Sequence, residues 1–192
     1  MSTQTATHSH NSSKQFLTVK DMSLTAMFAV LMAVCSWISI PTAVPFTLQT
    51  FAVFCAVSML GGKRGFFAIL VYMLLGAVGI PVFSGFKSGL GVLLGTTGGY
   101  LVGFLIIPLL CLLTEKLISE NVIVQIITMI VGLALCYAFG TAWFIKVYTD
   151  TKGDMTIANA LKFCVFPFVI WDLAKLALAV AMSAAVKKRV RI

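Results

Sequence analysis

The chain has 192 residues, 60% of them apolar and only 10% charged, with a formal net charge of +8. That balance excludes an ordinary water-soluble domain, whose apolar share is nearer half. The basic residues gather at the ends of apolar runs and at Lys187, Lys188, Arg189 and Arg191, which argues for membrane topology and against nucleic acid.

The first fifteen residues are rich in Ser, Thr, His and Asn and lack the basic flank, short apolar run and cleavage site of a signal peptide. A disordered cytoplasmic tail over 1–20 is expected, followed by a membrane domain over 21–192. His8 and His10 have no third converging ligand, so no metal is expected. Uncharged apolar runs predict spans at about 22–40, 47–60, 66–82, 90–113, 122–145 and 167–186, the second unusually short. Pro167 suits the first turn of the last helix, where its missing N–H costs nothing. The expected fold is an all-α integral membrane protein, a six-transmembrane-helix bundle with irregular outer loops.

With both termini cytoplasmic, the inner segments hold Lys14, Lys20, Lys63, Arg64, Lys116, Lys187, Lys188, Arg189 and Arg191. The outer ones hold only Lys87, Lys146, Lys152 and Lys162, so the positive-inside bias selects that orientation. Three connections then face outward, at 41–46, 81–89 and 148–166. Pro41 and Pro45 in the first and the glycines of the second forbid continuous helix. Such backbone is tolerated at membrane depth only over protein or a cavity, so a lidded outer cavity is expected.

Asp172 and Lys175 are the only charges deep inside a span. They lie five and eight residues beyond Pro167, about 8 to 12 Å below the helix start, and their spacing of three puts both on one face. Charge in hydrocarbon is costly and marks functional sites, although an internal ion pair gluing two spans is the alternative. A carboxylate accepts and an ammonium donates, so the pair matches a ligand presenting both donors and an acceptor. Gln49 and Thr47, at the mouth of the short second span, add an amide and a hydroxyl, with helix capping as their alternative. Tyr100 and Trp171 could wall an apolar cavity or sit in an interfacial belt. Lys87 could meet a ligand carboxylate at the cavity mouth, or simply be solvated.

Gly91, Gly95, Gly99 and Gly103 form a four-residue repeat suited to close helix packing. Ala26, Ala29 and Ala33 make the first span a candidate docking face for a partner, since Ala29 and Ala33 are spaced as small-xxx-small. Cys35, Cys55, Cys111, Cys136 and Cys164 fall one to a hydrophobic segment with no CxxC spacing, as small apolar fillers do. There is no Walker loop, HExxH or GxSxG, and no recurring acidic or His residues for a proton relay, so neither an enzyme nor a self-energised pump is expected.

Four segments carry a resemblance. Ile40-Pro-Thr-Ala-Val-Pro-Phe-Thr-Leu-Gln-Thr50, Gly76-Ala-Val-Gly-Ile-Pro-Val-Phe83, Gly95-Thr-Thr-Gly-Gly-Tyr-Leu-Val-Gly-Phe104 and Pro167-Phe-Val-Ile-Trp-Asp-Leu-Ala-Lys175 closely resemble the BioY family. Its members are biotin-specific substrate-binding (S) components of energy-coupling-factor (ECF) vitamin transporters. The resemblance covers the chain from about residue 22 onward and implies biotin as ligand, captured beneath the loops with no cofactor. It implies a site to which Asp172 and Lys175 contribute directly, and Gln49, Thr47, Tyr100 and Phe83 are expected beside them. It implies a prokaryotic plasma membrane and lipid surroundings, and docking of Ala26, Ala29 and Ala33 on a transmembrane coupling protein driven by two ATPases. The chain departs from the family at Ser84-Gly-Phe-Lys-Ser88, where smaller residues are usual, and at Thr96, where Pro is common. Residues alone leave open another vitamin, a structural scaffold, and whether the chain works alone, as a homo-oligomer or only with an energising module.

Overall fold

The computed structural model describes residues 18–42, 44–118 and 121–189. Most of the expected tail, with His8, His10 and Lys14, lies outside the described residues, as does Arg191. Helix α1 (Val19–Trp37) opens with a capping box: Thr18 Oγ1 accepts from Asp21 N–H at 3.2 Å, and the Asp21 carboxylate accepts from Thr18 N–H at 3.0 Å. Asp21 also pairs with Arg64 at 2.7 Å, tying the start of α1 to the turn inside α2 (Gln49–Ala77).

That turn makes α2 a helical hairpin. Gly61 has φ 82°, a left-handed conformation that only glycine adopts cheaply. Past it, the Cβ position of Gly65 lies 3.2 Å from the Val57 Cα, whereas eight residues along a continuous helix span about 12 Å. The chain therefore reverses, and the short second and third spans are the arms 49–60 and 62–77. Glu115 fixes the turn by accepting from Gly62 N–H at 2.9 and 3.1 Å. A Cβ on Gly62 would lie 2.3 Å from Leu112 N, so backbone packs on backbone there.

The expected fourth span, 90–113, is broken into α3 (Leu90–Leu94), α4 (Gly98–Gly103) and α5 (Ile106–Leu117). A Cβ on Gly98 would meet Leu93 O at 1.7 Å, and the Gly95 carbonyl at the break accepts from Gly98 N–H at 3.1 Å and from Trp143 Nε1–H at 3.0 Å. Trp143 belongs to α6 (Val122–Lys152), which continues beyond the expected end at 145. The third connection is also not all irregular: α7 (Ile157–Cys164) runs through it, burying Ala160 and Cys164, before α8 (Phe166–Arg189). The first connection departs from all-α structure with a small hairpin of β1 (Ser39–Ile40) and β2 (Phe46–Thr47), Ser39 opposite Thr47.

Helix α2 sits centrally, packed by α1, α5 and α8, while α6 packs on α4, α5 and α7. Gly99 and Gly103 serve the α4–α6 contact: Cβ atoms there would lie 2.3 Å from Trp143 Cβ and 2.8 Å from Cys136 Sγ. Gly91 has open space beside it and Gly95 follows α3, so the repeat is not one packing strip. The docking face expected on α1 is only partly open in the isolated chain. Ala29 and Ala33 are 1% and 5% exposed, inside the chain's own core, and only Ala26 of the three faces outward. The chain is a multi-pass integral membrane protein: four helical stretches outside α2 are long and apolar enough to cross a bilayer, and the α2 hairpin adds two shorter apolar arms.

Candidate ligand-binding site

At one end of the bundle the three irregular connections close over a cavity of about 390 Å³, within the roughly 300–1,000 Å³ of small-molecule sites. Thr42, Val44 and Pro45 come from the first connection, Ser84 and Lys87 from the second, and Cys164 from the third. Thr47, Gln49, Phe83, Lys87, Tyr100, Asp172 and Lys175 all line it, so sequence positions 47 to 175 converge on one space. Trp171 does not; it is exposed on the far side of α8, its ring edge-on to Phe46.

Asp172 and Lys175 are 2% and 8% exposed. One helical turn brings Lys175 Nζ to 2.8 Å from Asp172 Oδ1. The ammonium also donates to Thr47 O at 2.7 Å and to Thr50 Oγ1 at 3.1 Å, so its three protons are all engaged. The Phe46 ring lies 4.2 Å from Nζ, adding a cation–π contact. Asp172 Oδ1 further accepts from the Thr50 hydroxyl at 2.8 Å, and Oδ2 accepts from the Tyr137 hydroxyl at 2.5 Å. Three of about four acceptor positions on the carboxylate are thus filled, and the open one is on Oδ2. Buried charge is tolerated here because it is paired and hydrogen-bonded from α2, α6 and α8 together.

Gln49 differs. It is 4% exposed, its backbone N–H takes the Thr47 hydroxyl at 3.2 Å, and its side-chain Nε2 has no protein acceptor. A buried, unmade hydrogen bond costs about 1–3 kcal/mol, and at a cavity wall a ligand oxygen can recover it. Tyr100 shares a hydrogen bond with Thr141 at 2.9 Å, fixing its ring at the wall. Phe83 lies flat against Gly76, where a Cβ would fall 2.0 Å from the ring, and edge-on to Tyr72. Lys87 is exposed at the mouth.

The sequence reading missed Thr50 and Tyr137. Thr50 lies in the first turn of α2, three residues beyond Thr47 of β2, and Tyr137 is a hydroxyl set deep in an apolar span with Thr141 one turn on. Those patterns were available, although Ser, Thr and Tyr are common enough in membrane helices to carry little weight alone.

The chain matches the family described as the BioY family over residues 6–192. It is 41% identical over 164 residues to a Thermotoga maritima protein named biotin transporter BioY, covering 84% of this chain and 92% of that one. It is 42% identical over 149 residues to biotin transporter BioY2 of Lactococcus lactis subsp. cremoris, covering 77% and 80%. The fold is shared with a crystal structure of the S-component for biotin from an ECF-type ABC transporter, at a TM-score of 0.76 and 24% identity over 88% of this chain and 92% of that one. A family match along nearly the whole chain, relatives above 40% identity and a common fold give one result: the chain belongs to the BioY family.

Proposed function

We propose that this protein is a biotin-uptake subunit of a prokaryotic plasma membrane, capturing biotin in the cavity as the S component of an ECF transporter. The observation that carries the reading is the buried Asp172–Lys175 pair with Thr50 and Tyr137 on it and an unpaired Gln49 donor beside it. The ureido ring of biotin presents N–H donors and a carbonyl acceptor. A ring N–H fits the open position on Asp172 Oδ2, and the ring oxygen fits Gln49 Nε2. Lys175, its protons committed, holds the carboxylate in place. Thr47 supplies the carbonyl that anchors Lys175 and the hydroxyl that caps Gln49. Phe83, Tyr100, Leu101, Phe104, Leu133 and Phe168 then wall the bicycle and valeryl chain, whose carboxylate reaches Lys87 at the mouth.

The positive-inside bias orients the cavity outward with both termini in the cytoplasm. Capture needs no catalytic group, and energy comes from a coupling protein and ATPase pair. The decisive measurement is equilibrium binding of labelled biotin to the purified chain in detergent, with pantothenate, thiamine and riboflavin as competitors. Biotin alone is expected to compete; displacement by another vitamin, or no retention of biotin, would overturn the reading. Co-purification with the coupling protein tests the energising module, and a cysteine-accessibility map tests orientation.

A further inference from the structure

Trp37, at the end of α1, touches the second connection and not the cavity. Its Nε1–H donates to Pro81 O at 2.9 Å, and its ring stacks on Phe86 with centroids 5.1 Å apart and planes 25° off parallel. Phe86 has φ 57°, the only positive φ of a non-glycine residue among the described residues. For a side chain of that size the left-handed region is unfavourable and persists only when neighbours impose it. Phe86 is exposed and lines no part of the cavity, so burial does not impose it; the tight turn demands it and the Trp37 stack holds the ring. The next residue, Lys87, accepts through its backbone carbonyl from Phe83 N–H at 3.0 Å, closing a tight antiparallel bridge.

The base of the connection is held from inside, since Val82 O accepts from the Ser36 hydroxyl at 2.5 Å and from the Tyr72 hydroxyl at 3.1 Å. The tip, 84–88, has no such buried anchor. It lies between Gly79 and Gly89, both at positive φ with nothing within 4 Å of a Cβ position. We infer that Trp37 is a positioning residue for ligand recognition: by stacking on Phe86 it holds the strained turn that carries the Lys87 ammonium over the cavity mouth. The inference rests on the reading that Lys87 meets the ligand carboxylate. Trp37 then contributes to selecting the free acid over neutral derivatives without touching the ligand.

The test is equilibrium binding of biotin and of its uncharged primary amide to the full-length chain in detergent. Lys87→Met is expected to lower the acid-to-amide affinity ratio roughly fivefold, the scale of an exposed ion pair. Trp37→Ala is expected to lower the ratio by a similar factor, and combining the two to lower it no further than Lys87→Met alone. Trp37→Phe keeps a stacking ring but loses the N–H, so it is expected to give an intermediate ratio even where Trp37→Ala folds poorly. If both Trp37 variants leave the ratio intact while Lys87→Met lowers it, the positioning role fails and the Lys87 reading stands. A ratio unmoved by Lys87→Met sinks both. Equal loss of acid and amide binding in the Trp37 variants also overturns the inference, because it assigns Trp37 to fold stability alone.

Discussion

The two ends of the bundle solve opposite problems with the same four elements. Along α6, Leu133 lines the cavity and Gln125 lines a second, polar recess at the hairpin end, with Met129 fully buried between them. Along α5 the layer between is Ile107, along α2 it is Val53, Phe54 and Val57, and along α8 it is Ala179. About 12 Å of close-packed apolar side chains therefore separate the two recesses on α6. The cavity end is held open by loops, broken helix and a charge network; the hairpin end is closed by glycine-mediated backbone contact. Ligand chemistry and bundle stability are consequently separable, and substitutions at one end can be set against those at the other.

The largest effect is expected from Asp172→Ala, which strips Lys175, Thr50 and Tyr137 of their acceptor and the ligand of its own. A loss of binding on the order of 100-fold, about 3 kcal/mol, should appear in biotin titrations. Asp172→Asn, which keeps the shape and removes the charge, should retain part of it. At the other end, Gly62→Ala drives a methyl into Leu112 N and Pro108 O. It should lower stability by about 2 kcal/mol, seen as a reduced thermal midpoint in detergent, while folded protein keeps its affinity. Intact stability there would break the contrast between the ends.

Gln49→Leu should cost binding about tenfold, roughly 1.4 kcal/mol, yet leave ligand-free stability unchanged or raised, because it removes a buried donor with no partner. A fall in both would show that Gln49 serves the fold. Smallest is Asp21→Ala, which removes half of a capping box and an ion pair partly open to solvent. It should lower the thermal midpoint by less than Gly62→Ala does, with no change in biotin affinity.

The sequence was most legible where polarity contradicts the solvent. Asp172 and Lys175 stand out because hydrocarbon excludes charge, and six passes are recognisable because apolar runs are interrupted by Pro, Gly and Lys. Gln49, Thr47 and Phe83 reach the same cavity. What stayed hidden was which face of a helix is inside. In water an amphipathic helix shows its buried side by contrast, but a membrane helix is apolar toward both lipid and core. Ala29 and Ala33 thus read as a partner surface from their spacing, while in the isolated chain they pack into its own core. The break at Gly95–Thr97 was equally invisible as an interruption, since its cause is Trp143, 46 residues beyond Thr97, accepting a place against Gly99 and taking the Gly95 carbonyl. Helix α7 was hidden because its eight residues, with Asn159 and Lys162 among them, are too few to register as a span.

The hairpin at Gly61 also shapes how the protein meets lipid. Its arms of 12 and 16 residues are about 18 and 24 Å long, while the 31 residues of α6 extend about 46 Å. A hydrocarbon slab of about 30 Å matches neither. The molecule has no single hydrophobic thickness: the short arms pack mostly inside the bundle, while α6 faces lipid along much of its length and must tilt or protrude. Lipid chain length thereby becomes a variable in the protein's energetics, and it acts most strongly along α6.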